Sequence, residues 1–148
     1  MIKRTTTHMH RRRGAALVEM ALVLPIFVSV TLGIIEFGRA MMVSQLVTNA
    51  AREGARLGSL DGTTNSEIEA DIRSFLQGSA NVAGGSVSVT ITITPATGNP
   101  DPANNVSLAN VRDEVNVAVA IPFNAVSFID GNYLDGKNIT GSATMRHE

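Results

Sequence analysis

From Gly14 to Ile35 the chain runs for 22 residues with one charge, Glu19, and only two other polar side chains, Ser29 and Thr31. A helix over this stretch reaches about 33 Å at ~1.5 Å per residue, enough for a hydrocarbon core of roughly 30 Å. A buried core helix is the alternative, and it rarely stays uncharged for so long. A cleaved secretory signal also starts basic and turns apolar, but its apolar region spans only about 7–15 residues. Here the helix continues into Glu36-Phe37-Gly38-Arg39 without a small-residue cleavage site at its end. The segment, residues 15–38, is therefore read as a retained transmembrane helix, with the lipid bilayer as its first partner.

Charge placement orients it. Lys3, Arg4, Arg11, Arg12 and Arg13 precede the span, whereas only Arg39 follows closely, and all 13 acidic residues lie after Gly14. The excess of Lys and Arg on the N-terminal side places that side in the cytoplasm and residues 39–148 outside the cytoplasmic membrane, a single-pass N-in/C-out topology. Beyond Gly14 there are 7 basic residues against 13 acidic ones, a net charge of −6. Such a body disfavours nucleic acid, whose binding depends on accumulated Lys and Arg. With 148 residues there is room for one compact domain, and the absence of cysteine excludes disulfides, thiolate metal sites and a cysteine nucleophile.

Glu19 sits one turn inside the apolar run, where an ionised carboxylate costs on the order of 3 kcal/mol. Either it stays near the headgroups, protonated or snorkelling, or it has a cationic partner. Cutting the chain after Gly14 would create one, an α-amino group on Ala15, four residues earlier and on the same helix face. The string Arg11-Arg12-Arg13-Gly14-Ala15-Ala16-Leu17-Val18-Glu19 resembles a prepilin peptidase site: a basic leader, glycine before the cut and glutamate as the fifth residue after it. Together with Leu24-Pro25, Glu36-Phe37-Gly38-Arg39 and Asn49-Ala50-Ala51-Arg52-Glu53-Gly54-Ala55-Arg56, it is similar to the TadE-like proteins, pseudopilins of the tight-adherence (type IVc) pilus. The resemblance is detailed over residues 11–60 and coarse beyond.

That resemblance implies a prepilin peptidase as a partner. It would cut between Gly14 and Ala15, remove residues 1–14 as a leader, and leave the apolar helix as the mature N-terminus. Glu19 would pair with the Ala15 amine of its own chain or a neighbour's, neutralising both charges in a dry setting. Further implied partners are other pilins and pseudopilins and the pilus assembly platform in the membrane. Pro25 lacks an N–H and should bend or locally open the helix.

After Arg39, apolar residues at Val43, Leu46, Val47, Ala50, Gly54 and Leu57 keep helical spacing. An unbroken helix from Ala15 to Ser59 would have 45 residues and extend about 68 Å. Ala50, Ala51, Gly54, Ala55 and Gly58 form a small-residue surface, read first as packing on the protein's own sheet and second as a subunit contact. Arg52, Glu53 and Arg56 read as the solvated face. Asp61 to Asn65 is a turn, and Ser66-Glu67-Ile68-Glu69 reads as a capping box opening a second helix that Gly78 should end. Its Ile68, Ile72, Phe75 and Leu76 are expected to face the core. Strict alternation predicts strands at Val87–Thr94 and Val115–Ile121, with a further strand at Ile139–Arg146. Pro95 to Asn110 reads as a loop, and Phe123 to Asp135 is open between a short helix, an edge strand and a packed loop. The fold class is α+β and pilin-like: a long N-terminal helix, a short second helix, then an antiparallel sheet of three or more strands.

Little supports catalysis. His8 and His10 lie in the leader and His147 near the end of the sequence, and none suits a buried general base. No glycine-rich phosphate loop follows a strand, so no catalytic residue and no cofactor is expected. Asp61 with Asn65 and Glu67, or Asp101 with Asn104 and Asn105, could offer oxygens to calcium, but neither follows an established loop spacing. Turn chemistry explains both, and no metal is expected. Two functions remain: a minor pseudopilin that assembles through its N-terminal helix, or a permanently signal-anchored extracytoplasmic adaptor or binding protein with an intact N-terminus.

Overall fold

The computed structural model describes residues 8–127 and 136–148, with side chains from residue 14 onward. The chain divides into two units, Met1–Phe37 and Gly38–Glu148. One helix, α1 (His8–Gly58), contributes to both. It is followed by α2 (Asn65–Ala80) and by strands β1 (Ser88–Thr94), β2 (Glu114–Pro122) and β3 (Asn138–Arg146).

In the first unit α1 carries its apolar side chains outward: Leu17, Leu22, Ile26, Phe27 and Ile34 are all exposed. A helix apolar on every side and covered by nothing fits a span that lipid would cover. It is long and apolar enough to cross a membrane. Its hydroxyls are satisfied internally, Ser29 Oγ donating to the Pro25 carbonyl and Thr31 Oγ1 to that of Phe27, both at 2.8 Å. The helix is continuous through Pro25.

The second unit is the expected α+β domain. The sheet has the order β1-β2-β3 and is antiparallel throughout, with Val89 opposite Val119, and Val119 opposite Gly141. Because side chains alternate faces with period two, this register gathers Val115, Val117, Val119 and Ile121 on the inner face of the central strand, all at most 1% exposed. Against that face pack Val43, Val47, Ala51 and Ala55 of α1 and Ile68, Ile72 and Leu76 of α2. On the outer face the two edge strands present Ser and Thr around Asn116, Ala118 and Ala120 of β2, with Asn116 donating to Thr144 Oγ1 across the strands at 2.8 Å. Gly141 brings the sheet against the helix backbone. A Cβ there would lie 2.8 Å from the backbone N and Cα of Thr48 on α1.

Both ends of α2 differ from the sequence expectation. The capping box is Thr64 with Glu67, not Ser66 with Glu69: Thr64 Oγ1 accepts from the Glu67 N–H, and the Glu67 carboxylate accepts from the Thr64 N–H at 2.8 Å. Two overlapping Ser/Thr-x-x-Glu strings compete here. The earlier one wins because the turn at Gly62 (φ +84°) delivers Thr64 in extended conformation, while Glu69 is drawn to Arg73 at 2.9 Å. At the other end the helix passes through Gly78 to Ala80, and Asn81 (φ 54°) takes the left-handed position. Burial of Ala80 and Val82 extends the helix beyond the glycine. Phe75 is also a correction. It is 40% exposed and lies outside the core, whereas Ile68, Ile72 and Leu76 are buried as expected.

Of the undecided segment, Phe123–Ala125 forms a single 3-10 turn with Phe123 buried. Residues 128–135 lie outside the described residues. His147, read from the sequence as unsuited to be a buried general base, is nonetheless only 4% exposed, and its backbone N–H donates to the Asp113 carbonyl at 2.8 Å.

Candidate functional site

The candidate site is the start of the exposed apolar helix. Gly14, Ala15 and Glu19 are all exposed and all helical. Ala15 and Glu19 share a face, about 6 Å apart along the axis. In the intact chain the Ala15 nitrogen is a neutral peptide N–H; cleavage of the Gly14–Ala15 bond alone would make it a cation that the Glu19 carboxylate could neutralise. Nothing crowds Gly14, since a Cβ there would have no neighbour within 4 Å. Pro25 lies one and a half turns beyond Glu19, and its carbonyl is the one taken up by Ser29. The arrangement offers one carboxylate on an otherwise apolar surface, and its chemistry is charge pairing.

Glu36, which the sequence reading used only as part of the Glu36-Phe37-Gly38-Arg39 string and gave no role, is 2% exposed although it sits at the end of the apolar run. An acidic residue closing such a run was the available signal. Arg39, one turn on, donates from Nε to the Val126 carbonyl and so fixes the turn after β2 to α1.

Further along α1, the small side chains of Asn49 to Arg56 pack inside the domain. A Cβ on Gly54 would stand 2.6 Å from Ile72 Cδ1 and 3.3 Å from Ile68 Cγ2, and one on Gly58 would stand 2.9 Å from Val115 Cγ1. These residues therefore meet both α2 and the chain's own sheet, which bears out the intramolecular reading. Arg52, Glu53 and Arg56 are exposed. Arg56 pairs with Glu53 at 2.5 Å, and its hydrogen bond, helped by its charge, holds the Glu53 carboxyl below the usual range against the opposing effect of burial.

The two clusters of oxygen-bearing residues serve the fold. Asn65 accepts from the Val106 N–H and donates to the Asn104 carbonyl, both at 2.8 Å, fastening the 95–113 loop to the start of α2. Asn104 Oδ1 accepts from the Ile93 N–H on the outer edge of β1 at 2.8 Å. Asp101 and Asn105 accept from backbone N–H groups two residues on. Glu67 is committed to its cap, and hydrogen bonds from the Thr64 backbone and hydroxyl lower its pKa.

Asp113, which no sequence signal marked, organises the same loop. Its fully buried carboxylate accepts from the Ala96 N–H, the Asn99 amide and the Asn110 N–H at 2.7–2.8 Å. Burial pushes its pKa up, but those hydrogen bonds and nearby His147 outweigh it and the net shift is downward. The buried His147 ring has its Nε2 3.9 Å from Asp61 Oδ1, beyond hydrogen-bond reach.

The family model described as "TadE-like protein" matches residues 14–56, from the glycine before the apolar run to the last arginine of the small-residue segment. No curated protein and no solved structure matches the chain. The match covers the part of α1 that holds Gly14, Ala15, Glu19, Pro25 and Glu36, and over that segment the chain is similar to the TadE-like proteins.

Proposed function

We propose that the protein is a minor pseudopilin, a structural and assembly subunit of a tight-adherence type IV pilus. A prepilin peptidase removes residues 1–14, residues 15–38 cross the cytoplasmic membrane with the leader inside, and residues 39–148 stand outside. After cleavage Glu19 pairs with the Ala15 amine, on its own chain or a neighbour's, and the apolar helix exchanges lipid for the helices of other pilins and pseudopilins at the assembly platform. The role is structural, not enzymatic. The observation that carries this reading is Glu19, the one carboxylate between Gly14 and Ile35, about one turn past Gly14 on a stretch of α1 whose large apolar side chains, from Leu17 to Ile35, are turned outward. The TadE-like match over residues 14–56 supports it.

Intact mass and N-terminal sequencing of the protein from its host's membranes, with and without the host's prepilin peptidase, test the first step. The expected result is a peptidase-dependent start at Ala15; a retained Met1 or Ile2 makes the chain a permanently anchored adaptor instead. Glu19→Ala tests the second step. It should leave membrane insertion intact and impair assembly, and unchanged piliation would refute the pairing.

A further inference from the structure

Phe75 is the one large apolar side chain of α2 that the core leaves out. It stands at the lip of a groove between α1 and α2, about 380 Å³ in volume, with Ala50 and Ile72 as its floor and Glu53 and Asp71 on its rim. The rim is acidic on balance. Arg56 is hydrogen-bonded to Glu53 at 2.5 Å and feels Asp71 only through space, so Asp71 is in direct contact with no cation among the described residues and the two rim carboxylates share one Arg. From Gly38 to Glu148 there are 7 basic and 11 acidic residues, so the surroundings favour a positive guest.

We infer that this groove docks an Arg or Lys side chain of a second protein chain, its methylenes lying along Phe75 and Ile72 and its cation meeting Asp71. Lys and Arg suit such a place because their stems bury against apolar surface while their heads stay wet. The aromatic face adds attraction for a cation. A free organic cation shares this chemistry, but one solvent-exposed carboxylate holds a free ion weakly. A side chain carried by a chain already held nearby enters at high effective concentration. The inference concerns residues remote from Gly14 and stands whether or not the leader is removed.

The test places a photo-crosslinker in the full chain in its native host, Phe75→p-benzoylphenylalanine, with Thr92→p-benzoylphenylalanine on the outer sheet face as the control. Mass spectrometry should find an adduct specific to position 75, in a segment with Arg or Lys within one turn of the attachment point. Asp71→Lys should lower its yield by about fivefold or more, a factor worth ~1 kcal/mol, and Asp71→Asn by less. Changing the partner's basic residue to Glu should restore the yield in the Asp71→Lys background. Asp71 is exposed, so both variants should keep the parent melting curve. The inference is overturned by no adduct, by equal adducts at positions 75 and 92, by adducts on lipid or small molecules alone, or by a segment without a basic residue. Indifference of the yield to Asp71→Lys also overturns it.

Discussion

Gly141→Ala tests whether the sheet and α1 are held at backbone contact. The added methyl would sit 2.8 Å from Thr48 N and Cα, whereas ordinary contact begins at 3.4 Å, so β3 and α1 must separate by roughly 0.6 Å. Neither side yields easily. Thr48 lies in mid-helix with its hydroxyl donating to the Ser44 carbonyl at 2.9 Å, and β3 is paired along its whole length with β2. Overpacking of a tight contact costs about 1–3 kcal/mol, and a backbone neighbour argues for the upper half. For a domain of about this size each kcal/mol lowers Tm by roughly 4 °C, so the expected drop is ~8–12 °C. Gly78→Ala is the matched contrast. It lies inside α2 with nothing within 4 Å of its would-be Cβ, and removing a helical glycine should raise stability by about 0.5–1 kcal/mol. Thermal unfolding of the full chain in micelles, followed by near-ultraviolet circular dichroism of the domain, reads both. A Gly141→Ala protein melting within about 1 °C of the parent would refute the backbone contact, and a lower Tm for Gly78→Ala would refute the extension of α2 through Gly78.

Two further outcomes separate structural alternatives. Thr64→Ala should lose about 1 kcal/mol in urea unfolding while Ser66→Ala is close to neutral; the reverse order would restore the capping box to Ser66 and Glu69. Asp113→Asn should cost about 1–3 kcal/mol, because its side-chain amide turns a donor toward an N–H that needs an acceptor, and it should flatten the acid limb of stability. The native carboxyl has its pKa depressed, so its contribution is complete above the unfolded value near ~3.9 and is lost as pH falls through the lower folded value. A parent and variant with parallel stability curves from pH 6 to pH 2 would show that Asp113 carries no such linkage.

Local rules account for what could be read along the chain. The apolar run, its lone Glu19, the three- and four-residue spacing as far as Leu57 and the alternation of β1 and β2 each depend on near neighbours in sequence, and each reappears as an element. The small residues of Asn49 to Arg56 indicated close packing because side-chain size alone permits it. Where the sequence reading placed the capping box at Ser66 and the helix end at Gly78, the structure moved both, to Thr64 and to Asn81; the turn at Gly62 and the burial of Ala80 and Val82 decided.

By itself, then, the sequence determined a long apolar helix with one carboxylate near its start, joined to an α+β body, because periodicity and charge placement act at short range. Only the tertiary structure decided that Phe75 faces a groove, that Asp113 and His147 are buried, and that Gly141 meets the backbone at Thr48. These facts depend on which distant segments come together, and burial and satisfied hydrogen bonds are settled only by that packing.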